Sequence, residues 1–311
     1  MKKSKQQIDA LEYFQKHAHE WAVKAKGKSL EKFNLIKERN DYVLNRLKNL
    51  KKKDLTLDIG CGTGDLVIEI AKKNIHSIGV DFAEDMIKIA KKNALKNNAH
   101  LAEFICQSIF EYDFEKHEYD LISANGFIEY ISIEELNLLL ELCHNGLKSG
   151  GSLVLGSRNR LFNVFSMNEF TEVEIAQNSI NALILESIAW INGIKIEDII
   201  NMESLPLENL KQEQKITNIN ISMRYQFTPL QLIKLLKEKG FKVVHIYPIH
   251  IHGVVPKFKD LYPAVHKNIA LLLQQYAIEN INLLPNASTF IIHAIKEDFQ
   301  PKSGKNSEIF G

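Results

Sequence analysis

The sequence is poor in cysteine: Cys61, Cys106 and Cys143 are its three thiols, far apart and in no metal-like pair. That excludes a disulfide framework and fits a reducing compartment. No run of about 18 uncharged apolar residues exists, so no membrane span is expected. The segment Met1-Lys2-Lys3-Ser4-Lys5-Gln6-Gln7 is basic but has no apolar core behind it. No signal peptide is therefore expected, and a cytoplasmic location is. An excess of charge is missing too: 39 Lys and Arg against 38 Asp and Glu leave a formal charge of +1. Such balance argues against a broad nucleic-acid footprint. No internal repeat is visible. What remains is an ordinary globular composition, 45% hydrophobic and 25% charged over 311 residues. That length allows one large domain or two small ones, and burial of about three quarters of the unfolded surface.

What is present is organised around Leu55-Thr56-Leu57-Asp58-Ile59-Gly60-Cys61-Gly62-Thr63-Gly64-Asp65. An apolar run ends in an acid, and three glycines follow at every second position. Residues 66–73 then take up helical periodicity, so the stretch predicts strand, tight turn and helix. Glycines let the backbone adopt conformations other residues resist and let a ligand approach the amides at the helix start.

The chain around this turn alternates strands and helices. Residues 6–50 read as helical, with Tyr13, Phe14 and Trp21 near one another, and residues 51–54 form a charged junction. A second strand, 75–81, ends in Asp81, 17 residues after Gly64. That is close to the spacing expected of a carboxylate that bonds ribose hydroxyls. Strands follow at 102–106, 119–124 and 152–157, with helices running to about Asn98 and over 134–147. This rhythm implies βαβ crossovers and a parallel sheet with helices on both faces. Residues 159–222 break it with helices at 169–190 and 194–203. Thr228-Pro229 then starts a helix that ends at Gly240. A strand at 241–247, a helix over 257–281 and a last strand at 288–295 complete the expectation, with a flexible polar tail at 297–311. The expected domains are an N-terminal helical cap (1–50) and an α/β domain (51–296) with helical inserts at about 159–222 and 255–281.

In this order the parts resemble a class I S-adenosylmethionine-dependent methyltransferase of the small-molecule, quinone-biosynthesis-like kind. The resemblance is carried by Asp58 to Gly64, by Gly79-Val80-Asp81-Phe82, and by Phe127-Ile128-Glu129-Tyr130-Ile131. Leu147-Lys148-Ser149-Gly150-Gly151 and Phe227-Thr228-Pro229 complete it. It covers about 49–158 and 224–296. The glycine spacing is one residue shorter than the Gly-x-Gly-x-x-Gly of dehydrogenases, which favours the methyl donor over a nicotinamide cofactor. The resemblance implies a Rossmann-like seven-stranded, mostly parallel sheet whose last strand is antiparallel, and S-adenosylmethionine as cofactor. It further implies that Gly60, Cys61, Gly62 and Gly64 pack against the methionine part and that Asp58 attracts its amino group. Asp81 would bond the ribose, Phe82 and Met86 sandwich the adenine, and Ser108 and Ile109 meet its edge. Asn125 would offer a carbonyl to the amino group.

The acceptor side is less legible. Transfer to a hydroxyl gains from a general base, and the candidates are Glu129, Tyr130, His250 and His252. The two histidines share a strand face, and the sequence points to no third ligand, so no metal is expected. Tyr13 and Trp21 on the cap, and Arg158, Asn159 and Arg160 past the fifth strand, are the candidate acceptor contacts. The expected activity is methyl transfer to a small molecule at a hydroxyl oxygen, under a lid formed by 159–222 and 255–281. Methylation of a carbohydrate or lipid-linked glycan, of an amine or carbon centre, or of RNA or protein, and a non-catalytic binding module, stay open beside it.

Overall fold

The computed structural model describes residues 4–25, 33–50, 53–114, 118–207 and 224–297. Most of the expected tail and the end of the first insert lie outside these residues. The sheet has seven strands: β1 Leu55–Ile59, β2 His76–Asp81, β3 Ala102–Cys106, β4 Tyr119–Asn125, β5 Leu147–Arg158, β6 Phe241–Ile251 and β7 Ala287–Lys296. Their spatial order is β3-β2-β1-β4-β5-β7-β6. The first five are mutually parallel, and β7 runs antiparallel between β5 and β6. The Rossmann-like sheet with a reversed last strand is thus the observed one.

Alternation along each strand feeds two cores. Leu153 and Leu155 face one side and Val154 the other, as do Phe290 and Ile292 against Ile291. This period of two is why the strand bodies read as continuously apolar: both faces are covered. One face carries α6 (Ile133–Gly146) and α11 (Pro229–Glu238), and the other α3 (Leu35–Lys48) and α4 (Asp65–Ala71). The α5 helix (Glu84–Lys96) packs with α4 over β2 and β3. Start signals are local. Ser132 with Glu135 and Thr228 with Gln231 form capping boxes that satisfy the orphan amides of α6 and α11.

Four expected elements differ, one being the helix expected over 194–203, which is reduced to Ile196–Ile199. The N-terminal region is broken into α1 (Lys5–Lys16) and α2 (Ala18–Ala25) ahead of α3. The helix expected over 169–190 is interrupted between α8 (Glu169–Ala176) and α9 (Ile180–Ile191), because Asn178 takes φ +59°, which a right-handed helix cannot contain. The 257–281 helix is divided into α12 (Pro256–Leu261) and α13 (Pro263–Gln274), followed by two 3-10 turns. Short helices α7 (Phe162–Ser166) and α10 (Ile196–Ile199) complete the first insert as described. No helix among the described residues is long and apolar enough to cross a membrane.

The insert is fastened by a buried ion pair. Arg160 and Glu174 are both fully buried, with Arg160 Nε 2.9 Å from Oε1 and Nη2 2.7 Å from Oε2 of Glu174. Asn163 Nδ2 donates to Oε1 at 2.8 Å, and Ser179 donates to Oε2. Removing one partner leaves a buried charge unmatched, at a cost of about 3–5 kcal/mol. Glu174→Ala should lower the unfolding free energy by that amount in urea titration. A change of about 1 kcal/mol or less would mean that the insert does not unfold with the sheet.

Candidate active site

Parallel pairing brings the ends of β1, β2, β4 and β5 to one edge of the sheet, with Asp58 opposite Gly79 on one side and Ser123 on the other. A cavity of about 620 Å³ opens there, a size usual for small-molecule sites. The glycine turn forms its floor. Gly60, Gly62 and Gly64 all have positive φ, at +69°, +52° and +79°. A Cβ at Gly62 would meet nothing within 4 Å, so this residue leaves the floor open, whereas one at Gly60 would strike Phe127 at 2.8 Å. Gly64 serves packing instead: a Cβ there would lie 2.6 Å from Phe104, and the residue does not line the cavity.

The amides of the turn are used within the protein. Gly60 and Cys61 donate to Val80 O at 2.8 and 3.2 Å, Gly64 donates to Cys61 O at 3.0 Å, and Gly62 donates to Asp81 Oδ2 at 2.9 Å. The glycine positions of the turn therefore serve as a Cβ-free surface, with their own N–H groups engaged and not turned to a phosphate. Asp81 accepts a second amide, Ala83 N, at Oδ1 (2.9 Å). Burial raises its carboxyl above the usual range, and these amides oppose the shift. Asp58 is pushed up to about 7, first by burial and further by Asp81, against a 2.7 Å hydrogen bond from Ser123 Oγ. Both amide atoms of Asn125 are buried in the cavity wall without a partner.

Of the residues expected to bind a donor, Asp58, Gly60, Cys61, Gly62, Asp81, Phe82, Met86, Ser108, Ile109 and Asn125 all line this cavity. Phe82 and Met86 pack with Trp21 and Phe14 of the N-terminal helices, which form the opposite wall. The cap is tied to the body by Gln6 Nε2, which donates to Ile131 O at 3.3 Å, and by Ser4 Oγ, which donates to Glu135 at 3.2 Å.

At the far end of the cavity stand three largely buried arginines, Arg39, Arg158 and Arg224, around Glu129 and Tyr130. Arg224 Nη2 lies 2.7 Å from Glu129 Oε1 and its guanidinium sits 5.0 Å from the Tyr130 ring centre. Among the described residues neither Arg39 nor Arg158 forms an ion pair, and the Nε atoms of all three arginines lack partners. Burial pushes Glu129 up, but Arg224, Arg158 and Arg39 more than offset this and hold it below the usual range. Burial and the neighbouring Arg224 push Arg158 down to about 10. Burial also lowers Arg39, but a guanidinium stays protonated in a protein, so three of them around one carboxylate leave a net positive charge.

Several expected acceptor contacts lie elsewhere. Trp21, Arg158, Glu129 and Tyr130 line the cavity, but Tyr13 does not; it stacks on His17, with ring centres 4.5 Å apart. Asn159 turns inward, donating to Leu284 O and Ala287 O at 2.7 and 2.8 Å, and Arg160 is the partner of Glu174. His250 and His252 stand behind the wall, where Phe33, which does line the cavity, stacks on His250 at 4.9 Å. No described residue of 159–222 or 255–281 lines it; among the described residues the N-terminal helices form the wall where the lid was expected from the inserts. The sequence had flagged neither Arg39 nor Arg224. Arg39 was visible in principle, because it falls three and four residues before Tyr42 and Val43, on the buried face of α3. Arg224 offered no comparable signal.

Residues 56–151 match the family described as a methyltransferase domain. Phosphoethanolamine N-methyltransferase 1 of Zea mays is 31% identical over 141 residues, 45% of this chain and 28% of that protein. A ubiquinone biosynthesis O-methyltransferase of Bradyrhizobium diazoefficiens is 30% identical over 176 residues, 51% of this chain and 66% of that protein. The crystal structure of magnesium protoporphyrin IX methyltransferase from Synechocystis PCC 6803 with bound SAH has the same fold. Its TM-score is 0.54 at 14% identity, over 94% of this chain and 100% of that one. The chain spans less than a third of the length of the maize relative. The matched family segment holds the glycine turn, Asp81 and Glu129, and stops before Arg158 and Arg224.

The raised Asp58 carboxyl gives a pH-dependent stability. Its pKa is near 3.8 unfolded and about 7 folded, so between these values the folded state binds more protons and stability falls as pH rises. The effect is fully present as stabilisation only below the unfolded value, and roughly 4 kcal/mol is lost by pH 8 at 1.36 kcal/mol per pKa unit. Asp58→Asn should flatten the pH 4–8 stability profile of the ligand-free protein. A variant profile parallel to wild type would show that Asp58 is ionised throughout.

Proposed function

We propose that the chain is a class I S-adenosylmethionine-dependent methyltransferase and that it methylates a small molecule bearing a carboxylate or phosphate, at a hydroxyl oxygen. The residues of the cavity fit the cofactor. A turn whose Gly60, Cys61, Gly62 and Gly64 amides are already engaged suits a donor without phosphates, and Asp58 would hold its amino group with the unpartnered Asn125 amide in the same cavity wall. Asp81 keeps unused lone pairs for ribose hydroxyls, and Phe82 and Met86 offer an apolar slot for the adenine. When bound, S-adenosylmethionine supplies a methyl group already activated on a sulfonium, so positioning and exclusion of water are the protein's main contributions.

The observation that carries the acceptor class is the cluster of three buried guanidiniums around one carboxylate. Buried charges without partners are costly, and an anionic group is what Arg39 and Arg158 lack. Planar guanidiniums match carboxylate and phosphate geometry. Glu129 fits the hydroxyl end. Its Oε1 is occupied by Arg224 while Oε2 has no hydrogen-bond partner, so Oε2 can accept from an acceptor hydroxyl and receive its proton. Tyr130, kept a neutral phenol mainly by burial, stands beside it. The N-terminal aromatic wall excludes water from the same space.

Calorimetry with S-adenosylhomocysteine tests the cofactor site: Asp81→Ala should weaken binding at least tenfold, as loss of hydrogen bonds to a charged group implies. Binding unchanged by that substitution would remove the basis of the site. For the acceptor, release of S-adenosylhomocysteine is followed over hydroxylated carboxylates, phosphates and their neutral amide or ester analogues. Anionic members should be turned over in preference. Arg158→Gln should raise KM for them tenfold or more while leaving cofactor affinity within twofold. Equal turnover of the neutral analogues would refute the anionic acceptor.

A further inference from the structure

The face of the molecule behind the Phe33 wall holds a group of side chains that the methyl-transfer reading does not use. His250 is in β6, His252 follows the end of that strand, and His266 comes from α13. Each offers a ring nitrogen, and these atoms all lie within 4.8 Å of one another. His250 Nε2 and His266 Nε2 are 3.0 Å apart. The ring centres of His252 are 4.4 Å from His250 and 4.7 Å from His266.

A hydrogen-bonded histidine web accounts for only part of this. Three imidazoles could share one proton across the 3.0 Å contact, but both ring nitrogens of His252 and Nδ1 of His266 would still be buried without a partner. The two residues are 7% and 4% exposed. Native proteins rarely leave such groups unmet. Burial also holds all three rings below the usual histidine range, so they stand in the neutral form that binds metals.

We propose that His250, His252 and His266 bind one divalent ion of the zinc class through their ring nitrogens, with the fourth position left to water. The distances suit it. Zn–N bonds of about 2.0–2.1 Å in a tetrahedral site put ligand nitrogens about 3.4 Å apart, which the observed spacing reaches by small ring rotations. Imidazole-only ligation selects zinc and its neighbours over calcium or magnesium. The surroundings orient the ligands. Ser288 Oγ is 3.0 Å from His250 Nδ1, which would leave Nε2 free for the metal. Gln274, also on α13, accepts the His250 amide at 2.9 Å and donates to Pro248 O at 2.9 Å. This brace holds His250 at φ +58°, a backbone angle that few non-glycine residues adopt. Phe33 and Phe162 shield the rings from either side. Lys259 and Asp260 on α12 are the nearest charges and oppose each other. The ion would pin α13 to β6 and support Phe33 from behind, outside the reacting cavity.

The test is direct and independent of turnover. Full-length protein is stripped with a chelator and titrated with Zn²⁺ against a chromophoric competitor. One equivalent should bind at submicromolar Kd, and Co²⁺ should give visible d–d bands of a four-coordinate nitrogen site without a thiolate charge-transfer band. His252→Gln and His266→Gln should each weaken Zn²⁺ binding at least a hundredfold. His293→Gln, a buried histidine in β7, should leave it unchanged. Zn²⁺ should raise the wild-type Tm and not that of the two site variants. Absence of a stoichiometric Zn²⁺ equivalent in wild type, a thiolate band with Co²⁺, or retained binding in either variant would overturn the proposal. The first two readouts need no variant to fold.

Discussion

Desolvated charge at the carboxyl edge of a parallel sheet is the constraint on which this structure depends. Because β1, β2, β4 and β5 run the same way, Asp58, Asp81, Asn125 and Arg158 all arrive at one rim. Burial there disfavours every ionised form, and each residue answers it differently. Asp81 is satisfied by two backbone amides. Asp58 has one hydroxyl and is left near neutrality as a titratable group. Glu129 is held ionised by guanidiniums, which outnumber it. The two ends of the cavity thus differ in sign. A carboxyl-rich end suits a cationic amino acid group and hydroxyls, and an arginine-rich end suits an anion.

The glycine-turn half of the cavity was legible because its information is local. A glycine turn needs positive φ at particular positions, and an acid at the end of the next strand falls at a set distance along the chain. Those features survive in one dimension, so the sequence alone places Asp58, the glycine turn and Asp81 at one rim, where all of these but Gly64 line the cavity. Gly64 is an instructive exception. The resemblance counted it among the cofactor contacts, but it lies outside the cavity lining, and its positive φ and the ring of Phe104, forty residues on, account for a glycine there. The arginine cluster could not be read in the same way. Arg39, Arg158 and Arg224 come from three elements brought together only by the fold, and Arg160, two residues from Arg158, has an unrelated role. The strand ends at Arg158 and the chain turns at Arg160, so the two do not continue one strand face.

The third histidine shows the same limit. His250 and His252, two residues apart at the end of one strand, were visible as a pair, while His266 lies on a helix whose docking against β6 is a tertiary event. No spacing rule connects a strand end to a helix across a crossover of this kind. Element boundaries were lost for a more ordinary reason. Asn178 at positive φ ends α8, and nothing in the run 169–190 marks that residue as a helix breaker beyond its short polar side chain.

The two inserts can be understood from what they bury. Helices α7 to α9 surround the Arg160–Glu174 pair, and α12 and α13 cover the histidine group. Both polar clusters sit just outside the cavity, next to strands that shape it: Arg160 follows Arg158 at the end of β5, and Ser288, beside His250, precedes the cavity-lining Thr289 in β7. An apolar cluster in either place would fill volume without fixing direction. A directional polar one has few satisfactory arrangements, and so holds the strand end in one of them. On this view the inserts act at one remove, by setting where Arg158 and Phe33 stand, while the N-terminal helices close the cavity itself. Substitutions in the inserts should then alter acceptor discrimination through geometry, whereas those in α1 to α3 alter access, a separation that follows from which elements touch the cavity wall.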